Sequence, residues 1–366
     1  MLKSRQKESR YGFFGLTCES DNFLRLDILR FIASMGIVIY HFSQSLGLDV
    51  NITEGLHLLV DAFFVISGIV ICHVYIYSVS TPRQIKKFIV ARIARLGPLH
   101  WATTLIYVVL SSVAVSIGVE LANPEKYDPA CLPAVIVFAH SAIGCDKLVY
   151  NFVSWSVSAE FIMYLIFPGL SIIFFRARWS LPVLCLSTLL LLYVYGGDWW
   201  DRTYDLGFLR AFPGFVFGMI LFAWRNVIKL APISHKLFLP AVAVMIASMC
   251  FWPGPQGFII PVVYSCVALV YVIDLRGQKS PALEKYASLG KLTYSLYMLH
   301  PLIQTILLNF VGEKVFGLHG WSDIVYTWII VALSIPISVV SLNYFETPAR
   351  SLVKRLLASN RQPECT

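Results

Sequence analysis

The chain has 366 residues, of which 57% are hydrophobic and 14% charged, and its mean hydropathy is +0.71. Soluble proteins carry about 25% charged residues, so this composition excludes an ordinary soluble domain and predicts a membrane protein. A formal net charge of +8 would suit nucleic acid in a soluble protein. In a membrane protein basic residues mark cytoplasmic loops instead, and no nucleic-acid partner is expected.

Ten apolar runs have the length of about 20 residues that a membrane span requires. They predict an all-α polytopic membrane protein of about ten transmembrane helices, with both termini on one side. Of the 29 Lys and Arg residues, 24 fall on the side of the termini. Because basic residues collect on the cytoplasmic side, both termini are predicted to be cytoplasmic. The expected spans lie near residues 26–47, 56–79, 89–118, 153–175, 180–196, 206–224, 236–252, 257–274, 290–310 and 323–344.

This topology predicts three segments. Residues 1–23 form a cytoplasmic N-terminal segment, residues 24–350 a single transmembrane domain, and residues 351–366 a cytoplasmic C-terminal tail. The eight cysteines include no CxxC pair and no Cys/His pair at zinc spacing, so no metal site is predicted. Cys131 and Cys145 share one polar loop expected outside the cytoplasm. A disulfide between them is a hypothesis that an oxidising compartment permits.

The first apolar run, LDILRFIASMGIVIYH at residues 26–41, contains Arg30 and His41. An arginine within the hydrocarbon costs at least about 2.5 to 3.5 kcal/mol, so such residues usually face a cavity, a partner or a substrate. Eleven helical steps separate the two residues by roughly 16 Å along the axis and leave them on nearly the same face. This helix is predicted to carry a fixed cation near one boundary and a proton-exchanging group near mid-membrane.

Four cations precede the third span, in KKFIVARIARLGPLHW at residues 86–101. They are Lys86, Lys87, Arg92 and Arg95. Guanidinium groups bind phosphate bidentately, so the cluster would suit a nucleotide-like ligand. The alternative is positive-inside signalling and contact with anionic lipid, and charge alone does not separate the two.

Other spans contain isolated polar residues. DAFFVISG (61–68) includes Asp61 and Ser67, and its Gly68 would permit close approach of another backbone. A serine in a span is most often satisfied by its own helix, and Asp61 could pair with a cation or begin its helix. Glu160, in WSVSAEFIMYLIFP (155–168), is expected about two turns below the outer boundary, as an acid/base group or half of a structural ion pair.

YSLYMLHP at residues 294–301 carries His300 into the ninth expected span. Together with His41 and Glu160 it would place two histidines and one glutamate at a similar depth. Such a set favours a pocket over three unrelated residues. The chain end reads NYFETPAR, where Glu346 and Arg350 stand at i, i+4 and can pair on the cytoplasmic side.

These motifs, in this order and spacing, resemble membrane acyltransferase family 3 from about residue 24 to 350, in the stand-alone form without a C-terminal esterase-like domain. The resemblance implies an inner-membrane enzyme that takes an acyl group, usually acetyl from acetyl-CoA on the cytoplasmic side, to a hydroxyl of a glycan. It marks Arg30, His41, Arg92 and Arg95 as functional positions and Glu160 as a recurrent one. Two departures are Ala91 before Arg92, where paired arginines are usual, and Gly97, where a bulkier residue is common.

The resulting hypothesis is a bacterial inner-membrane O-acyltransferase that uses acetyl-CoA and no metal, surrounded by membrane lipids. Its acceptor would be a cell-surface polysaccharide, a lipid-linked glycan or an oligosaccharide. His41 would act as general base, with Glu160 or His300 orienting it or stabilising the imidazolium. Phosphate-binding residues would be Arg30, Lys86, Lys87, Arg92 and Arg95, and substrate-binding candidates are Asp61, Ser67, Trp155 and Tyr297. The alternatives are a proton-coupled transporter or flippase and a scaffold without chemistry.

Overall fold

The computed structural model describes residues 10–18, 23–46, 52–121, 123–277 and 280–358. The first and last parts of the expected cytoplasmic tails, residues 1–9 and 359–366, lie outside these ranges. The described chain is mostly helical. One small antiparallel hairpin precedes the helices, with strands β1 (Arg10–Tyr11) and β2 (Thr17–Cys18).

The α-helices are numbered in chain order. They are α1 (Leu24–Ser45), α2 (Leu59–Tyr75), α3 (Pro82–Ser116), α4 (Leu132–Ile136), α5 (Ser154–Ala177), α6 (Ser180–Tyr195), α7 (Gly207–Ala223), α8 (Arg225–Ile228), α9 (Phe238–Phe251), α10 (Ile260–Leu275), α11 (Pro281–Ala287), α12 (Thr293–Ile303), α13 (Trp321–Ser341) and α14 (Thr347–Ala358). Two π-helical segments, Gln304–Val315 and Leu342–Glu346, continue α12 and α13.

Seven helical segments of the described chain are long and apolar enough to cross a membrane. Three shorter apolar helices, Ser180–Tyr195, Gly207–Ala223 and His235–Phe251, occupy the positions expected for the fifth, sixth and seventh spans. The fold is therefore that of a helical, multi-pass membrane protein. The count of ten spans and the cytoplasmic location of both termini stay predictions.

The chain folds as two compact units. The first unit comprises Met1–Ile69 and Gly214–Tyr297, and the second comprises Val70–Pro213 and Met298–Thr366. In the first unit, the Asp274 carboxylate fixes the start of α1. It accepts the backbone N–H groups of Arg25 and Leu26 at 2.9 and 3.0 Å and forms an ion pair with Arg25 Nη1 at 3.2 Å. Asp274 thus satisfies helix-terminal donors that have no partner within α1.

Helices α2 and α7 approach each other within the first unit at two glycines. A Cβ atom added to Gly68 would lie 2.1 Å from the Phe215 carbonyl oxygen, and one added to Gly218 would lie 2.2 Å from the Val65 carbonyl oxygen. Neither position accepts a side chain without a shift of the backbone. The close approach expected at Gly68 is confirmed.

In the second unit, α3 packs against α5 and α14. The long segment between α3 and α5 contains a disulfide between Cys131 and Cys145, as hypothesised from the sequence. Cys131 packs in a buried cluster with Tyr107 of α3 and Leu302 of α12. The disulfide-bonded segment is therefore held against two of the helices of this unit.

Candidate functional site

The cationic segment around Arg92 is helical because α3 begins with strong local signals. Thr81 is the N-cap, Pro82 occupies the first helical position, and Gln84 completes a capping box. The Gln84 N–H donates to Thr81 Oγ1 at 3.3 Å, and Gln84 Oε1 accepts from the Thr81 N–H at 3.1 Å. This reciprocal pair satisfies two helix-terminal donors and starts the helix one turn before Lys86.

The four candidate phosphate-binding cations on α3 differ in environment. Lys86 and Lys87 are exposed, whereas Arg92 and Arg95 are half-buried and three residues apart on one face. The helix continues past Gly97, and a Cβ atom there would lie 2.8 Å from the Trp101 ring. The departure from the family pattern at Gly97 therefore makes room for an indole one turn ahead.

Aromatic side chains surround the Arg92 guanidinium. Its Cζ lies 4.8 Å from the ring centroid of Tyr75, 5.7 Å from that of Tyr164 and 6.0 Å from that of Phe88. Its Nη2 donates to the Tyr75 hydroxyl at 2.7 Å. Arg92 Nε is buried and has no hydrogen-bond partner among the described residues. The charge is thus held by cation–π contacts and one neutral hydrogen bond, while a donor of the fork stays available.

Tyr164 connects Arg92 to Glu160. The Tyr164 hydroxyl donates to Glu160 Oε1 one turn away on α5, while its ring lies against Arg92. The sequence placed Arg92 at the cytoplasmic boundary and Glu160 deep in the membrane, as members of two separate groups. In the structure one tyrosine joins them within the second unit. A cation and a carboxylate linked in this way can bind an anion and take part in proton exchange.

Arg30 and His41 occupy one uninterrupted helix, as expected. Arg30 Nη1 lies 3.4 Å from Asp27 Oδ1, and about a quarter of the Arg30 side chain is exposed. His41 is half-buried and lies four residues before the end of α1, or about 6 Å along the axis. His41 is therefore nearer to the end of the helix than to its middle, and its depth in the membrane stays a prediction.

Two aromatic rings near His41 were not singled out by the sequence. The Tyr40 ring centroid lies 4.8 Å from that of His41 and 5.7 Å from that of His57. His57 Nδ1 is 2.7 Å from the Glu54 carbonyl oxygen, so that nitrogen carries the proton. His57 was missed because it falls in a short helical turn before α2, where no helical pattern connects it to His41.

The other candidates on α2 and α12 are buried. Asp61 is 0% exposed and Ser67 is 8% exposed, both on α2. Tyr297 is 7% exposed, and its ring centroid lies 6.2 Å from that of Phe63. His300, in the second unit, is 0% exposed. These residues face the protein interior, as functional or structural polar groups in a membrane do, and their roles stay predictions.

Trp155 contacts an arginine that was not among the candidate site residues. Arg210 lies on α7, is 1% exposed, and places its Cζ 5.3 Å from the Trp155 ring centroid. Gly207 lies against the same ring, where a Cβ atom would be 3.0 Å away. Trp155, a candidate substrate-binding residue, is thus engaged in a buried cation–π contact.

A pair of stacked histidines is another polar feature that the sequence analysis did not identify. The rings of His100 and His140 are 5.9 Å apart and inclined by 5°. His100 Nε2 lies 2.8 Å from the Val135 carbonyl oxygen, and His140 Nε2 lies 3.0 Å from Ser154 Oγ. Burial, followed by the effect of His100, lowers the pKa of His140 to about 3. His140 is therefore neutral near pH 7, which suits a structural link between the disulfide-bonded segment and α5.

The described residues contain no group of three or more His, Cys, Asp or Glu side chains able to hold a metal ion. The polar groups of interest are an arginine on tyrosines, a tyrosine-bound glutamate and separate buried histidines. Together with the apolar helices, they define the class of the protein: a multi-pass helical membrane protein with ionisable side chains in its interior.

The family follows from comparison with known proteins. The family model for acyltransferase family 3, described as an acyltransferase domain, matches residues 23–342. The chain therefore belongs to membrane acyltransferase family 3 and is a membrane acyltransferase, as the sequence motifs predicted. No curated protein and no solved structure matches the chain significantly.

Proposed function

We propose that this acyltransferase uses acetyl-CoA as its donor and acetylates a hydroxyl of a cell-surface polysaccharide, a lipid-linked glycan or an oligosaccharide. The observation that carries the proposal is the environment of Arg92. A guanidinium with a buried Nε lacking a partner among the described residues has the donor geometry that phosphate oxygens require. Coenzyme A supplies such oxygens, and exposed Lys86 and Lys87 precede Arg92 on the same helix. Arg95, also on α3, and Arg30 are assigned to the same donor.

We assign His41 as the general base. Its imidazole removes the proton from the acceptor hydroxyl as the hydroxyl oxygen attacks the acetyl carbonyl carbon. The carbon–sulfur bond of the thioester then breaks, and the CoA thiolate takes the proton back from the imidazolium. The position of His41, one turn from the end of α1, supports an acceptor arriving from that end. Glu160 and His300 are proposed to assist proton movement, and Asp61, Ser67, Trp155 and Tyr297 to bind acceptor.

The location we propose is a bacterial inner membrane with the donor on the cytoplasmic side. The Cys131–Cys145 disulfide supports placing that loop on the outer, oxidising side. A membrane-impermeant maleimide should label these thiols in intact spheroplasts only after reduction. Absence of labelling after reduction would contradict the outer placement, and labelling of both thiols without reductant would contradict the disulfide.

Replacement of His41 tests the chemistry. His41→Ala should reduce glycan acetylation in membrane vesicles supplied with labelled acetyl-CoA by at least about 100-fold, since general base catalysis contributes about 10² to 10⁴. The exposed His319 gives a matched control, and His319→Ala should keep full activity. Wild-type acetylation by folded His41→Ala would remove His41 from the mechanism.

Trapping distinguishes direct transfer from a covalent route. If His41 carries the acetyl group in an intermediate, label from acetyl-CoA should accumulate on the protein when the acceptor is absent. Direct transfer leaves the protein unlabelled under the same conditions. Mass spectrometry of surface glycans from cells with and without the intact chain would identify the acceptor and the acyl group.

A further inference from the structure

The C-terminal helix brings further cations to Arg92. Helix α14 packs against α3 within the second unit. Arg350 and Lys354 stand four residues apart on α14 and therefore share one face. The charges of both residues act on one another and on Arg92. Three cations from two helices thus meet in one region.

This region has more positive than negative charge in the described structure. The carboxylate that acts on Arg350 belongs to Glu346, which is buried and accepts a hydrogen bond from Ser341 Oγ at 3.2 Å. Glu346 is the carboxylate expected to pair with Arg350, and its charge acts on that one of the three cations. Glu160 accepts a hydrogen bond from the Tyr164 hydroxyl, and the ring of that tyrosine lies against Arg92.

Two hydrogen-bond donors in this cluster of three cations are unsatisfied in the described structure. Arg92 Nε and Arg350 Nε are both buried, and neither has a hydrogen-bond partner among the described residues. A buried donor without an acceptor is costly, and like charges held together add repulsion. An anion with several acceptor oxygens bound between the helices would satisfy both guanidinium groups and offset the repulsion.

We propose that Arg92, Arg350 and Lys354 form a phosphate-binding site between α3 and α14. This assignment rests on the proposed function: the phosphate belongs to the CoA-type donor. The C-terminal helix α14 then supplies part of the donor site and α3 the rest. An anionic lipid headgroup offers the same chemistry. Phosphate oxygens match the planar guanidinium fork bidentately, and Lys354 adds a point charge at the exposed edge.

The test uses the full-length protein in nanodiscs and measures CoA binding by calorimetry. Arg350→Gln should weaken CoA binding at least about tenfold, as expected for loss of a charged hydrogen-bonding partner, and Lys354→Gln should weaken it about threefold. Arg355→Gln is the matched control. It removes the same charge as Arg350→Gln, and Arg355 lies exposed on the same helix. Melting temperatures of all variants are compared first, and Lys354→Gln serves if Arg350→Gln fails to fold.

A second arm separates the sources of phosphate. Melting temperatures are measured with inorganic pyrophosphate, and in nanodiscs of phosphatidylglycerol against phosphatidylcholine. One outcome is that wild type does not bind CoA, while pyrophosphate or phosphatidylglycerol raises the melting temperature of wild type but not of Arg350→Gln. This result would support the phosphate site and contradict its assignment to CoA. If CoA binds equally to wild type, Arg350→Gln and Lys354→Gln, the site is overturned and the donor assignment stands. If none of the three probes acts on wild type, both are overturned.

Discussion

Arg25 and Arg92 are two arginines in helices of the same protein, and their charges are met in opposite ways. Arg25 is buried against Asp274, which binds both its side chain and its backbone N–H. Arg92 lies on tyrosine rings, donates to one hydroxyl and keeps a buried Nε without a partner among the described residues. The first arrangement fixes α1 in place. The second leaves a donor for an anion, and this difference in partners is the basis on which we propose a binding role for Arg92.

We expect the largest change in folding free energy at the Arg25–Asp274 pair. Asp274→Asn removes the negative charge and leaves Arg25 buried without its counterion, which should cost about 3 to 5 kcal/mol of folding free energy. Thermal unfolding in detergent measures it. The control is Asp146→Asn, whose ion pair with Lys147 is on the surface, with the Asp146 side chain 85% exposed, and which should change stability by less than about 1 kcal/mol. Equal effects of the two variants would break the comparison.

His140 is a second buried ionisable group. Unlike Arg25, which is paired with a counterion, it is buried in its neutral form. Its folded pKa is about 3, below the unfolded value of about 6.5, so the unfolded chain binds a proton that the folded chain does not. Protonation of the unfolded chain therefore does not lower the free energy of unfolding above about pH 6.5. Below that pH the free energy of unfolding falls by about 1.4 kcal/mol per pH unit, until the pH approaches 3. His140→Gln should therefore lose stability less steeply than wild type between pH 6.5 and 4.5.

The control for this prediction is His235→Gln, because His235 is exposed. Melting curves of wild type and both variants across this range provide the measurement. The prediction is contradicted if His140→Gln and His235→Gln show the same acid dependence as wild type.

Tyr164→Phe tests the surroundings of Arg92 and is expected to have the smallest effect on stability. The change keeps the ring beneath Arg92 and removes only the hydroxyl that donates to Glu160. We expect stability to change by about 1 kcal/mol or less, acetyl-CoA affinity to stay within about twofold of wild type, and the transfer rate to fall several-fold. Tyr195→Phe, at a side chain 80% exposed, should change neither quantity. A Tyr164→Phe enzyme with the wild-type rate would assign this hydroxyl to structure alone.

Much of the fold could be predicted from the sequence because hydropathy is a local property. Each expected span coincides with a long apolar helix or a shorter one. The close approach of another backbone at Gly68 was expected because glycine has no side chain. The disulfide could be proposed because Cys131 and Cys145 share one polar loop. Family membership followed from motif order over most of the chain, and the family model matches residues 23–342.

The site could be predicted only in part because its contacts join distant segments. Arg92 was identified by its charge, but nothing local connects it to Tyr75, to Glu160 through Tyr164, or to Arg350. Asp274 looked like the end of an ordinary span, although it caps α1 from 249 residues away. His100 and His140 meet only because the disulfide-bonded segment folds back on α3. The roles of Arg30, His41, Asp61 and His300 depend on chemistry that burial alone does not test.

Acetyl-CoA binding by wild type and by Arg92→Gln tests the central claim most directly. Calorimetry on the full-length protein in nanodiscs, with melting temperatures matched, gives the comparison. We predict saturable binding to wild type and a loss of at least about tenfold in affinity for Arg92→Gln, about 1.4 kcal/mol. Equal affinity for acetyl-CoA in the two proteins would contradict the claim that this arginine is held ready for the phosphates of the acyl donor.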